Sequence, residues 1–156
     1  MTLNIGLESN EIKTSVDHLE KFLASQSILN LKIRNFHWNV QGPHFSDYHK
    51  FFEEMYESSA ELIDDIAERI RMLGEKSPAT MTFFLKNSFL EEQSNYNLEA
   101  EKMVDELVVD TEKTISQMRK AIEVIGETGD KGTEDFLIAT MQDHEKNAWM
   151  LRSMIK

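Results

Sequence analysis

The chain has 156 residues, of which 40% are apolar, and it carries 17 Lys plus Arg against 28 Asp plus Glu, a formal net charge of -11. That length fits one domain with a proper core and is too short for two. The acidic balance argues against a basic groove for nucleic acid. The absence of cysteine excludes disulfides, thiolate metal sites and thiol catalysis, so redox chemistry would need a metal or a cofactor.

The first residues, Met1 to Asn10, are not basic and no apolar stretch follows them. No run of eighteen apolar residues occurs anywhere. The expectation is a single domain over 1–156 that is soluble, cytoplasmic and without a membrane segment.

From Ser15 to Trp38, Val16, Leu19, Phe22, Leu23, Leu29, Ile33 and Phe36 recur at helical spacing. Thr14 and Asp17 offer an acidic variant of the capping box, and Gly42-Pro43 ends the helix. Ser46 is the expected cap of a second helix of about 27 residues, roughly 40 Å long. It runs through Phe52, Tyr56, Ile63, Ile66 and Ile70 and stops at Gly74.

Residues 76–90 hold Pro78 and the apolar group Phe83, Phe84, Leu85, Phe89 and Leu90. Exposing such a group is costly, which predicts one or two short helical turns packed on the bundle or on another subunit. A third long helix is expected from Asn95 to Ile125, and a fourth, capped by Thr133, through Trp149 to the C-terminus. A link of about twenty residues is excessive between neighbouring antiparallel helices. A crossover connection, and with it an all-α ferritin-like four-helix bundle, accounts for it.

Five ligand-type side chains stand out: His37 at the end of the first helix, and His49, Glu53, Asp64 and Glu68 on the second. The four on the second helix lie within an arc of about 100°, as two i,i+4 pairs. Glu53 and Asp64 are nevertheless about 16 Å apart along the axis. One small metal cluster cannot span that distance within one chain. Two imidazoles with several carboxylates suit Fe(II), Zn or Mn. The Glu-x-x-His pairs of di-iron bundles are absent, because no Glu precedes any histidine by three residues. The centre closes if two copies of the second helix pack antiparallel about a twofold axis. The His37, His49 and Glu53 group of one copy then faces Asp64 and Glu68 of the other. The competing reading is a solvated acidic face with ordinary histidines, its carboxylates paired to Lys50, Arg69 or Arg71.

The stretch His37-Trp38-Asn39-Val40-Gln41-Gly42-Pro43-His44-Phe45, with His49, Phe52, Tyr56 and Asp64-Asp65-Ile66-Ala67-Glu68-Arg69-Ile70, closely resembles the Dps family of mini-ferritins. The resemblance extends over nearly the whole chain. The spacings of 12, 4, 11 and 4 between the five ligand-type residues are similar to that family's inter-subunit ferroxidase motif. One departure is Glu53, where the family commonly has Asp.

The resemblance implies a homo-dodecameric shell that oxidises Fe(II) to Fe(III), preferentially with hydrogen peroxide, and stores the ferric mineral, protecting against oxidative stress. His37, His49 and Glu53 of one subunit, with Asp64 and Glu68 of its twofold mate, would hold a two-iron centre. Zinc would be an inhibitory occupant. Trp38, beside His37, would act catalytically by intercepting stray oxidant, with Tyr56 similar; for both, an interface aromatic filling space is the alternative. Glu127, Asp130, Glu134 and Asp135 resemble the acidic lining of threefold pores, or form a plain solvated turn. Relatives that coat DNA often use a lysine-rich tail. Here the first basic residue is Lys13 and the chain ends at Ile155-Lys156, so no strong DNA binding is expected. A di-metal oxygenase or catalase is disfavoured by the missing Glu-x-x-His pairs, and a DNA-compacting particle by the acidic N-terminal stretch.

Overall fold

The computed structural model describes residues 4–155. Met1 to Leu3 and Lys156, the outer parts of the termini weighed above for DNA contact, lie outside the described residues. Among the described residues there are five helices and no strand: α1 (Ser9–Asn39), α2 (Phe45–Met72), α3 (Met81–Asn87), α4 (Ala100–Gly126) and α5 (Lys131–Met154). Helix α1 packs along α2, and α4 along α5, while α3 sits in the long link and rests on α1. The architecture is the expected all-α bundle with a short helix in the crossover.

The helix ends differ from expectation where a different side chain reaches the free backbone groups. Helix α1 starts six residues earlier than expected, because the Glu11 carboxylate accepts from the backbone N–H of Glu8 at 2.8 Å. Thr14 instead donates back to the carbonyl of Asn10 within the helix. At α2, His44 occupies the cap position without a side-chain hydrogen bond, and Ser46 lies inside the helix. Gly74 ends α2 as expected: its φ of 90° is left-handed, and the N–H of Glu75 closes back on Ile70. Helix α4 begins at Ala100 rather than Asn95. At α5 the cap is Asp130 and not Thr133: the Asp130 carboxylate accepts from the Thr133 N–H at 3.0 Å and from its hydroxyl at 2.6 Å.

Helix α3 covers the link's apolar side chains only in part. Phe84 and Phe89 pack against the core, Phe89 edge-on to Phe22 at 5.6 Å, whereas Met81 and Leu85 remain exposed.

The apolar core is divided. One half gathers Phe36, Phe52, Leu107 and Leu151, the other Leu19, Ile66, Ile70, Ile125 and Leu137. Each such fully buried side chain contributes about 2 kcal/mol. Between the halves lies a polar layer: Gln26 of α1, Ser59 of α2, Thr111 of α4 and His144 of α5, bordering a cavity of about 300 Å³. Gln26 donates to Ser59 Oγ at 2.8 Å, His144 Nδ1 meets the carbonyl of Thr140 at 2.9 Å, and His144 Nε2 meets the Gln26 amide at 3.3 Å. Burial lowers the pKa of His144 against the opposing Thr140 hydrogen bond and Asp143 charge, which favours the neutral ring. This layer occupies the bundle centre, where facing helices hold metals in other ferritin-like bundles. Here its buried members supply an amide, hydroxyls and a single imidazole, and the exposed carboxylates Glu61, Asp65 and Asp143 border the same cavity without gathering into a group of three ligands among the described residues.

Candidate metal centre

The turn between α1 and α2 folds His37 back onto His49. The two imidazoles stack with centroids 3.8 Å apart and planes 20° from parallel. Each ring is fixed by the other residue's backbone: His37 Nδ1 meets the carbonyl of His49 at 2.8 Å, and His49 Nδ1 meets the carbonyl of His37 at 2.8 Å. A carbonyl only accepts, so both Nδ1 atoms carry the proton. In the neutral rings both Nε2 atoms keep a lone pair. Reciprocal orientation of this kind sets tautomer and direction before any metal arrives. Phe45 stacks on the far side of His49 at 4.9 Å, and Tyr56 stands edge-on to His37 at 5.2 Å.

Glu53 lies one turn along α2 from His49, half-buried, with Oε1 accepting from the Tyr56 hydroxyl at 3.4 Å. Asp64 and Glu68 are exposed. Among the described residues no three His, Asp or Glu side chains come together within one chain as a metal site. The structure therefore joins His37 to His49, with Glu53 one turn further along α2, and helical rise puts Asp64 about 16 Å and Glu68 about 22 Å beyond Glu53.

The salt-bridge alternative also loses its partners. Lys50 pairs with Glu54 at 3.9 Å, Arg69 with Asp130 at 2.9 Å, and Arg71 donates to the carbonyl of Glu75. Among the described residues no ion pair engages Glu53, Asp64 or Glu68. Two imidazoles held by backbone carbonyls stand near the start of α2, and carboxylates without an ion pair among the described residues stand in its second half.

The family model for ferritin-like domains matches residues 16–156. The DNA protection during starvation protein 2 of Bacillus anthracis is 40% identical over 143 residues, 92% of this chain and 97% of that protein. The chain belongs to the Dps family. A low temperature-induced protein of Nostoc sp. is likewise 40% identical over 155 residues, 99% of this chain and 87% of that one. The crystal structure of a Dps protein from Vibrio cholerae, of the ferritin-like diiron-carboxylate superfamily, superposes with a TM-score of 0.93 at 30% identity, over 100% of this chain and 98% of that one.

In this Dps chain the remaining expected site residues separate. Trp38 is 65% exposed and turns away from the imidazoles, bordering a cavity of about 230 Å³ with Leu31, Asn35 and Tyr96. Successive helical residues point about 100° apart, so sequence adjacency to His37 does not bring Trp38 to the rings. Phe45 and Tyr56 are the aromatics that do meet them, Tyr56 at a helical i+3 spacing from Glu53 that the sequence already displays.

Of the four acidic residues expected to line a pore, Asp130 is corrected. It is 2% exposed, and its oxygens are taken by Thr133 and by Arg69. Its pKa is lowered: burial raises it, but the nearby Ser15 hydroxyl, the hydrogen bonds from Thr133 and the Arg69 charge outweigh burial. Asp130 is a helix cap and ion-pair partner. Glu134 is half-buried and paired with Lys131 at 2.8 Å, whereas Glu127 and Asp135 are exposed.

Proposed function

We propose that this Dps protein is a ferroxidase and iron store whose oxidation sites form between twofold-related subunits. His37, His49 and Glu53 of one copy meet Asp64 and Glu68 of the other. The observation that carries this reading is the reciprocal hydrogen bonding of His37 and His49, which leaves both Nε2 atoms free. Among the described residues, the carboxylates of Asp64 and Glu68 make no ion pair and no complete site forms within one chain, which supports it further. A twofold axis across α2 produces two identical sites per dimer.

Fe(II) is the substrate. Two irons give two electrons to one hydrogen peroxide, its O–O bond breaks, and two protons complete two waters, so no hydroxyl radical is released. Carboxylates stabilise the Fe(III) formed, which moves on to a mineral inside a dodecameric shell. Zinc accepts the same ligands without redox chemistry and blocks the site. Glu127, Glu134 and Asp135, grouped about threefold axes, draw cations inward. Trp38 intercepts oxidant that escapes the centre.

Crystals soaked anaerobically in Fe(II) test the shared site. Anomalous density is expected between twofold mates, beside His37 and His49. Density inside the polar layer around His144 would overturn the proposal.

The net charge of -11 per chain opposes contact with phosphates, so DNA binding is not part of this function. The assembled protein is expected to leave plasmid mobility unchanged in a gel shift at neutral pH and physiological salt. Retardation there would contradict this.

A further inference from the structure

Resting on the reading of Glu53 as an iron ligand, we propose that Tyr56 is a positioning residue. Its hydroxyl donates to one oxygen of Glu53, so that the other oxygen is presented to the metal.

The phenol is itself held from two directions, and the backbone of Tyr56 from a third. The Arg34 guanidinium lies over its face, 4.1 Å from the ring centroid, and the His37 imidazole meets it at 5.2 Å and 74°. Asn30 Nδ2 donates to the carbonyl of Tyr56 at 2.8 Å, while Asn30 Oδ1 accepts from Arg34 Nε at 3.0 Å. Arg34, Asn30 and Tyr56 form one closed arrangement that joins α1 to α2 beside the imidazoles. A cation over the ring face and a fixed backbone leave the hydroxyl little freedom.

Glu53 has no such restraint of its own. Its chain has three rotatable bonds, and among the described residues it pairs with no cation. Fixing so free a side chain when a metal binds carries an entropic cost that the hydrogen bond from Tyr56 reduces in advance. One Glu53 oxygen is thereby occupied at 3.4 Å, which disposes the carboxylate to bind iron through the other alone. The length of the side chain belongs to the same device. Aspartate would draw the carboxylate back by about 1.5 Å, and a contact already at 3.4 Å would be lost. The longer acid at position 53 and the hydroxyl at position 56 therefore act as a pair.

The test is Co(II) binding to the metal-free assembly, followed by its visible absorption, with size exclusion verifying assembly of every variant. Glu53→Ala is expected to weaken binding and change the absorption bands. Tyr56→Phe is expected to weaken Co(II) binding about tenfold, the low end for outer partners of metal ligands, with the ring and its Arg34 contact kept. In a Glu53→Asp background Tyr56→Phe is expected to add nothing, because the hydrogen bond is already gone. Unchanged affinity in Tyr56→Phe, or full additivity in the double variant, would overturn the pairing while leaving Glu53 a ligand. Unchanged affinity in Glu53→Ala would remove Glu53 from the metal centre and this inference with it.

Discussion

Glu68→Ala is expected to slow peroxide-dependent Fe(II) oxidation by more than about 100-fold, since even the outer partners of metal ligands are worth 10–100-fold. The substitution removes a carboxylate that is exposed and makes no ion pair among the described residues. The fold should be untouched, because surface changes away from packed or paired groups shift stability by only about 0.5 kcal/mol. Ferric absorbance after anaerobic Fe(II) loading and peroxide addition measures the rate, and a radical trap measures leakage. His49→Ala is expected to behave alike.

The decisive measurement combines the two inactive variants in one co-expressed assembly. A mixed dimer would contain one site carrying both substitutions and one carrying neither. Random pairing makes about half of the dimers mixed, so about a quarter of the wild-type rate should return. If every site lay within one subunit, no recovery would occur. Recovery of that size, or its absence, therefore decides whether the centre is shared.

Asp130→Ala is expected to destabilise the protein by about 2–4 kcal/mol. Loss of a helix cap costs about 1 kcal/mol. Stranding a buried partner charge costs about 3–5 kcal/mol, discounted here because the Arg69 side chain is 22% exposed. Denaturant midpoints provide the measurement. Asp130→Asn, which keeps an acceptor for the Thr133 N–H, should lose less than Asp130→Ala.

The acid dependence has a definite sign. The folded pKa of Asp130 is lowered below its unfolded value, which is near 3.9. Its contribution is therefore complete above about pH 4 and lost as pH falls through the folded value. The Asp130→Asn variant should lose this part of the acid transition. A variant of ordinary stability that takes up iron slowly would instead return Asp130 to the pore.

The helices were legible because their apolar residues recur at helical spacing, and burial of Leu19, Ile66, Leu107 and Leu137 follows that pattern. Their ends were less so. Glu8 and Glu11 displace Thr14, and Asp130 displaces Thr133, because a cap is decided by which oxygen reaches a free N–H. Several polar residues near each boundary could do so. The polar layer was hidden for a related reason: Gln26, Ser59, Thr111 and His144 lie on separate helices and meet only when the bundle closes.

The amino-acid sequence by itself determined the all-α class, the long α2, and the five side chains with the chemistry to bind iron, since all of these depend on local periodicity and residue type. It also determined that one chain cannot gather them, because helical rise places Glu53 and Asp64 about 16 Å apart. Tertiary structure alone decided which imidazole nitrogens are free, because backbone carbonyls across the turn hold both Nδ1 atoms. It alone took Asp130 out of the acidic cluster and turned Trp38 from the rings, because neighbours in sequence point apart once they are wound into helices.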